Sequence, residues 1–528
     1  MEAGGVTDVF DGGAGPASLA ASSAFFASSP AAVVLAAPDG ISAAAGQAAA
    51  AAAGLGIPLL VLDSGTEQRV SDELDRLGAQ SVVVYGAPAG DWSASVGERA
   101  QVAGPADADG FQSVLNLATS PAAAGPLIAQ IAAMERGTTL SVPVPDITAA
   151  NTEAAAAGEA ASDAKTSQAD TPSGADRLPE FQADEDRTDA VLLATEDPAS
   201  AAVVATARAA GAEVKMVETA DPRAESDVIR ILRSHRAGGI YAAGNAFGGD
   251  GNFQAQAGVA LNAPELPGGG QTVFPGRRMV ALYGHPSGGS LGVLGEQGMA
   301  ESIQLAKETA EQYQPYSTEP VVPALEIITT VASAGPGADG DYSEETAPED
   351  LIPWIEAARE AGVYVVLDLQ PGLSTFLDQA VRYEQLLKYP HVGLALDSEW
   401  RLAPGQRHLE QIGSVDAAEV NEVSEWLAGL TRDSVLPQKV FMLHQFNLSM
   451  IRNRDQLNVS HSELAVSLHA DGHGTPGQKQ ETWSVMRNGL QPEIWPGWKN
   501  FYDEDTPMLT PEQTFTQVDP KPWFISYQ

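Results

Sequence analysis

Cysteine is absent from all 528 residues, which excludes disulfides, thiol nucleophiles and cysteine-ligated metal sites. Basic residues are scarce: 29 Lys and Arg stand against 69 Asp and Glu, a net charge of −40. A surface of that sign repels phosphate backbones and anionic headgroups, so nucleic acid and a polybasic membrane patch are excluded as partners. No apolar run reaches the roughly 18 residues of a membrane span. The Ala-rich start is broken by Pro30, Pro38, Asp39 and Gly40. A basic stretch followed by an apolar core, the mark of an export signal, is also not visible at the N-terminus. Membrane contact is therefore expected only through an N-terminal anchor outside this chain.

What is present is enough for several domains. Residues 1–16 are Gly- and Asp-rich and read as a flexible lead-in. Three Val- and Leu-rich runs at 31–37, 58–63 and 81–86 alternate with helical stretches at 40–54 and 67–77. Continuous apolar runs with helices between them predict a doubly wound parallel sheet, over 17–142. Residues 143–187 are Ala-, Glu-, Asp- and Thr-rich with almost no aromatics and read as a linker. A second small α/β unit, 188–273, repeats the layout with strands at 190–194, 213–218 and 239–244.

From 274 to 528 the period changes. Eight short apolar segments recur at 279–283, 324–330, 364–369, 392–396, 440–444, 464–468, 499–502 and 523–527. Helical stretches at 299–312, 353–361, 375–388, 417–430 and 449–457 fall between them. Eight alternating units over about 250 residues predict a (β/α)₈ barrel of the TIM type, an α/β fold. Barrel sites form at the C-terminal ends of the strands. Polar residues cluster there: His285, Glu326, Asp368, Gln370, Asp397, Glu399, Trp400, His444, Gln445, His469, Asp471, His473, Asp503 and Asp505.

The sharpest local pattern is Val392-Gly393-Leu394-Ala395-Leu396-Asp397-Ser398-Glu399-Trp400. If the strand runs through it, alternation turns Ala395, Asp397 and Glu399 to one face. Like charge from Asp397 would then keep Glu399 protonated and able to donate. Glu399 is the candidate general acid, with Asp397 and Asp368 as partner carboxylates for glycoside cleavage. His285, Glu326, Gln370, His444, Gln445, Asp471, Tyr502 and Asp505 are candidate substrate contacts. Trp400, Trp495 and Trp498 are candidate stacking surfaces for a sugar ring.

A second constellation is His469-Ala470-Asp471-Gly472-His473 with His444 one strand away, whose donors suit Zn or Mn. Gly472 and the following Gly474-Thr475-Pro476-Gly477 end the strand, so a loop with solvated or hydrogen-bonded histidines is the expected outcome, with no metal and no cofactor. No Gly-x-Ser-x-Gly elbow occurs. The glycine runs at 249–251 and 268–270 lack the lysine of a phosphate loop.

Three resemblances follow from these phrases. The pattern VVLAAPD, PLLVLDSG and LDRLGAQSVVVYG resembles type-2 cell-wall-binding repeats over 17–88 and, more weakly, 189–244. That implies attachment to anionic wall polymers. It departs in ending on Tyr85-Gly86 rather than two glycines. The strand-four phrase resembles family 18 glycoside hydrolases, and a short Asp-x-Glu strand is similar to family 25 lysozyme-like barrels. By that match Glu399 stands for the proton donor and Asp397 for the residue steadying an acetamido group. Ala395 replaces the family's first aspartate, and Leu369-Gln370-Pro371-Gly372 replaces its strand-three signature. The phrases YVVLDLQPG, LALDSEW, KVFMLHQF, FYDEDTP and ISYQ resemble acidic, Ala-rich, exported or lipid-anchored actinobacterial envelope proteins. These imply an extracellular or envelope protein that binds or cleaves a cell-wall or capsular glycan. The alternatives are a non-catalytic glycan-binding or assembly protein and a metal-dependent hydrolase using His444, His469, Asp471 and His473.

Overall fold

A computed structural model of the chain describes residues 6–36, 43–86, 96–141, 177–183 and 188–528. Most of the expected linker, 143–187, lies outside the described residues.

Val- and Leu-rich runs form the predicted parallel sheets of the N-terminal part. In one, Leu59–Leu62, Ala31–Ala36, Ser81–Tyr85 and Ala100–Ala103 lie side by side, all parallel. In the other the order is Thr7–Phe10, Ile240–Ala243, Val191–Ala194 and Glu213–Met216, also parallel. Part of the expected lead-in is thus a strand: Val9 and Phe10 are buried, because Thr7–Phe10 completes the edge of the second sheet. The two stretches expected as separate units make one compact unit, residues 1–222 with 227–261. Alanine is the physical reason. Helices Ala43–Leu55 and Ala201–Ala209 present small side chains to each other and pack closely, and Thr206 Oγ1 accepts from the Leu59 amide at 3.1 Å.

The second unit, 223–226 with 262–528, starts twelve residues before the boundary expected at 274, because 262–273 belongs with the barrel. Its strands are β1 (Arg278–Gly284), β2 (Val321–Ala332), β3 (Tyr364–Leu369) and β4 (Val392–Asp397). They continue as β5 (Lys439–Gln445), β6 (Leu464–Ala470), β7 (Trp495–Asn500) and β8 (Phe524–Tyr527). Neighbours pair in parallel in chain order, and β8 returns to β1 through Met279–Phe524 and Leu282–Tyr527, which closes the cylinder. The barrel predicted from the sequence is therefore present.

Two details differ from expectation. The seventh strand is Trp495–Asn500, not 499–502. Its Pro496 and Gly497 read as a turn, but parallel neighbours on both sides hold them extended. A Cβ at Gly497 would stand 3.0 Å from the His469 ring, so a larger residue there would have to shift that ring. Between β5 and β6 the helix expected at 449–457 is replaced by the 3₁₀ turns Leu448–Met450 and Arg454–Gln456.

Strand alternation sorts the barrel into two cores. Outward side chains such as Leu282, Leu325, Leu367, Leu396, Leu443 and Leu468 pack under the helices. Inward side chains at the lower end, Met279, Ala281, Ala324, Tyr364, Val366, Ala395, Val440, Met442 and Phe524, fill the cylinder with a dry plug. Sharp helix starts bring the chain back to the next strand. Pro476–Arg487 and Pro511–Gln517 each begin with proline at the first turn and a reciprocal Thr–Gln capping box, Thr475 with Gln478 and Thr510 with Gln513.

Candidate active-site cavity at the barrel mouth

One or two residues beyond the dry plug, the same inward-facing positions turn polar. Tyr283, Asp368, Asp397, His444, His469 and Lys499 end the inner rows of their strands, and Glu326 lies midway along β2, all buried. Above them opens a cavity of about 510 Å³. Asp397, Glu399, Asp471, Lys499, Tyr283 and Gln370 are among its polar lining residues, and Trp400, Phe446 and Phe501 among its aromatic ones.

The floor is a paired network. His444 Nδ1 lies 3.0 Å from Asp471 Oδ2, and its Nε2 lies 2.9 Å from Glu326 Oε1 and 3.9 Å from Asp368 Oδ1. Burial works against a charged imidazole, but the carboxylates around it outweigh burial and hold its pKa well above the usual 6.5. An imidazolium donates through both nitrogens, as this geometry requires. Asp471 is pushed up by burial, yet the His444 hydrogen bond and charge, with Lys499, bring it below the usual range. It is an anion at neutral pH. Burial, reinforced by the charges of His444 and Lys499, keeps His469 well below 6.5, so its ring, 4.9 Å from that of His444, is neutral.

The other carboxyl groups go the opposite way. Burial, then the like charges of Glu399 and Asp368, pushes Asp397 well above 3.8. Burial, then Asp471, pushes Glu399 to about 7, against the pull of Lys499 and His444. Burial lifts Asp368 to about 6, opposed by His444; it accepts from Tyr283 at 3.0 Å. The pair expected on strand four is therefore differently built. The strand stops at Asp397, and Ser398–Trp400 is a 3₁₀ turn, so Glu399 reaches the cavity from the turn rather than by alternation. Both carboxyl groups are raised, and the anion that raises Glu399 is Asp471 before any other.

Of the residues expected to bind substrate, Gln370, Trp400 and Asp471 line the cavity along with Asp397 and Glu399. Glu326, Asp368 and His444 are fully buried beneath it and act on it from below. His285 is turned aside, its Nε2 3.0 Å from Thr346 Oγ1. Gln445 is consumed by Arg454 and the Asn447 carbonyl. Asp505 is a loop clamp: it takes the amides of Gly474 and Phe501 and pairs with Lys479 at 2.9 Å. Tyr502 is 45% exposed and lies against Tyr527, off the cavity wall. Trp498 is buried against Trp483, and Trp495, at the start of β7, packs with Trp523 and Phe274 at the opposite end of the barrel. The shifted seventh strand accounts for both.

Sequence reasoning missed Tyr283, Phe446, Phe501 and Lys499. Alternation along β7 would have placed Lys499 inside, had that strand been legible. The alternative metal set of His444, His469, Asp471 and His473 is not gathered at one point: His473 is exposed at the cavity wall, its ring against Phe501. Glu326, His444 and His469 do bring one donor atom each within 4.8 Å of one another. Both nitrogens of His444 are turned to carboxylates, however, and a cation would have to displace its proton from Glu326. The arrangement fits a hydrogen-bonded relay.

Fold and cavity together define an eight-stranded α/β barrel with an acidic, aromatic-walled mouth. No family model matches the chain, and no curated protein matches it. Among solved structures, Cwp6 from Clostridium difficile aligns with a TM-score of 0.32 at 13% identity. The alignment covers 69% of this chain and 63% of that one, so the chain spans less than two thirds of that structure. At that level of likeness no function is transferred. Among the described residues no helix is long and apolar enough to cross a membrane.

Proposed function

We propose that the barrel is a glycoside hydrolase acting on a cell-wall or capsular polysaccharide outside the cell, with Glu399 as general acid. The observation that carries this reading is the pair of opposed carboxyl groups in one cavity: Glu399 raised to about 7 and Asp471 held as an anion. Glycoside cleavage needs one carboxyl group that keeps a proton and one that has lost it. Glu399 protonates the leaving oxygen. Asp471, held by the imidazolium of His444, stabilises the developing positive charge or activates water. Asp397, kept neutral, donates to a sugar oxygen. Trp400, Phe446 and Phe501 offer apolar faces to the ring. Envelope location and wall attachment through the N-terminal unit rest on the strand–helix layout it shares with wall-binding repeats.

The test is turnover of purified envelope polysaccharides by the full chain. Glu399→Gln is expected to lower kcat by about 10²–10⁴-fold while glycan binding persists. Activity should fall as pH rises through about 7, where Glu399 loses its proton. A second reading, non-catalytic glycan binding, is favoured by one residue, Ala395 in place of the family 18 aspartate. Binding without any cleavage by the wild type would establish it and reject hydrolysis.

A further inference from the structure

The cavity holds a cation that has charged neighbours but, among the described residues, no direct salt bridge. Lys499 is 4% exposed and lines the cavity. Among the described residues, no carboxylate oxygen lies within 4.0 Å of its ammonium and no hydrogen-bond acceptor takes its protons. Its nearest partner is a ring face, with Nζ 3.6 Å from the Tyr283 centroid. The other two buried lysines of this unit show what satisfaction looks like. Lys439 donates to the carbonyls of Tyr389 and Val392 at 2.9 and 2.8 Å. Lys479 donates to two carbonyls and to Asp505. Lys499 lines the cavity instead, so a ligand there can take the N–H bonds that the Tyr283 ring face does not.

We infer that the cavity is built for a sugar residue bearing a single negative charge, a carboxylate or a phosphodiester, seated on Lys499. The inference rests on the glycan reading and specifies its substrate class. Charge limits the ligand to one negative charge. Asp471 is already an anion within electrostatic reach of Lys499, and one ammonium cannot offset a dianion beside it. Below about pH 7 Glu399 keeps its proton, and Asp397 is raised well above 3.8, so neither adds its full charge against such a ligand. The ring of the sugar then lies against Trp400 and Phe446, with its charged substituent toward Tyr283.

Calorimetry on the full chain carrying Glu399→Gln separates binding from turnover. Three matched pairs serve as probes. One is a glucuronate-bearing tetrasaccharide and its carboxyl-reduced form. Another is a peptide-free peptidoglycan tetrasaccharide and chitotetraose, which differ in the lactyl carboxylate. The last is a glycerol-phosphodiester-substituted tetrasaccharide and its unsubstituted parent. At least one charged member should bind roughly tenfold or more tightly than its neutral partner, with the preference weakening as salt rises. Which pair shows it distinguishes carboxylate from phosphodiester. Adding Lys499→Gln should abolish the preference, and Lys499→Met serves if that variant does not fold. Neutral members binding as well as charged ones, or a preference that survives loss of Lys499, overturns the inference and leaves the glycan reading standing. Binding of no probe overturns both.

Discussion

The lower and upper halves of the barrel interior are made by the same strands and the same alternation, yet they have opposite chemistry. On β5, Val440 and Met442 face inward among apolar neighbours, and His444, one pleat further, faces inward among carboxylates. On β4 the step is from Ala395 to Asp397, and on β3 from Val366 to Asp368. The lower half gains from burial, about 1.5–3 kcal/mol for each large apolar side chain. The upper half removes ionisable groups from water, which stabilises a fold only when every charge is met. Stability and chemistry are thus separated by two residues along each strand, some 6–7 Å.

Four measurements sharpen that contrast, beginning with the largest expected effect. His444→Leu leaves Glu326 and Asp471 without their shared cation, so chemical denaturation should show a loss of about 3–5 kcal/mol. A loss below about 1 kcal/mol would mean that the network is not internally paired. Met442→Ala, two residues earlier, opens a cavity in the plug and should cost about 2–5 kcal/mol by the same assay. Glycan affinity should not change, because Met442 is walled off from the mouth.

The pH dependence of unfolding comes next. Burial pushes Asp368 up to about 6 and Glu399 up to about 7, against ordinary values of 3.8 and 4.5, and holds Asp397 well above 3.8. Between about pH 4 and 7 the native state therefore binds more protons than the unfolded state. Barrel stability should fall as pH rises through that window, on the order of 1–3 kcal/mol. Asp397→Asn should flatten the decline; an unaltered slope would remove Asp397 from the account. His444, raised above 6.5, adds to the loss at higher pH, while the lowered Asp471 acts only in acid, below 3.8. The smallest effect separates the two ends of the barrel. Trp400→Ala should weaken glycan binding by about 0.5–1.5 kcal/mol, and Trp495→Phe should leave it unchanged, as read by calorimetry.

Much of the barrel was legible because seven strands are short apolar runs bounded by turn residues. The eighth segment to be placed, β7, was not. Trp495-Pro496-Gly497 carries turn chemistry, and only its position between β6 and β8 makes it a strand. The site was legible to the extent that polar residues follow strand ends: Asp397, Glu399, Asp471, Gln370 and Trp400 do line one cavity. Gln445 and Asp505 show the same local pattern but are spent on loops, Gln445 on Arg454 and the Asn447 carbonyl and Asp505 on Lys479, pairings that only the loop conformations reveal. Lys499 was missed for a related reason. Lysine ordinarily signals solvent, and its burial depends on the β7 register.

The sequence alone determined the alternation of strand and helix, the inner and outer rows of seven of the eight barrel strands, and the acidic character of the mouth. These follow from local periodicity and residue type. Tertiary structure decided which carboxyl group keeps its proton, which histidine is charged, and which lysine is left without an acceptor. Those properties depend on burial and on charges a few ångströms away, contributed by strands more than a hundred residues apart, as Glu326 and His444 are.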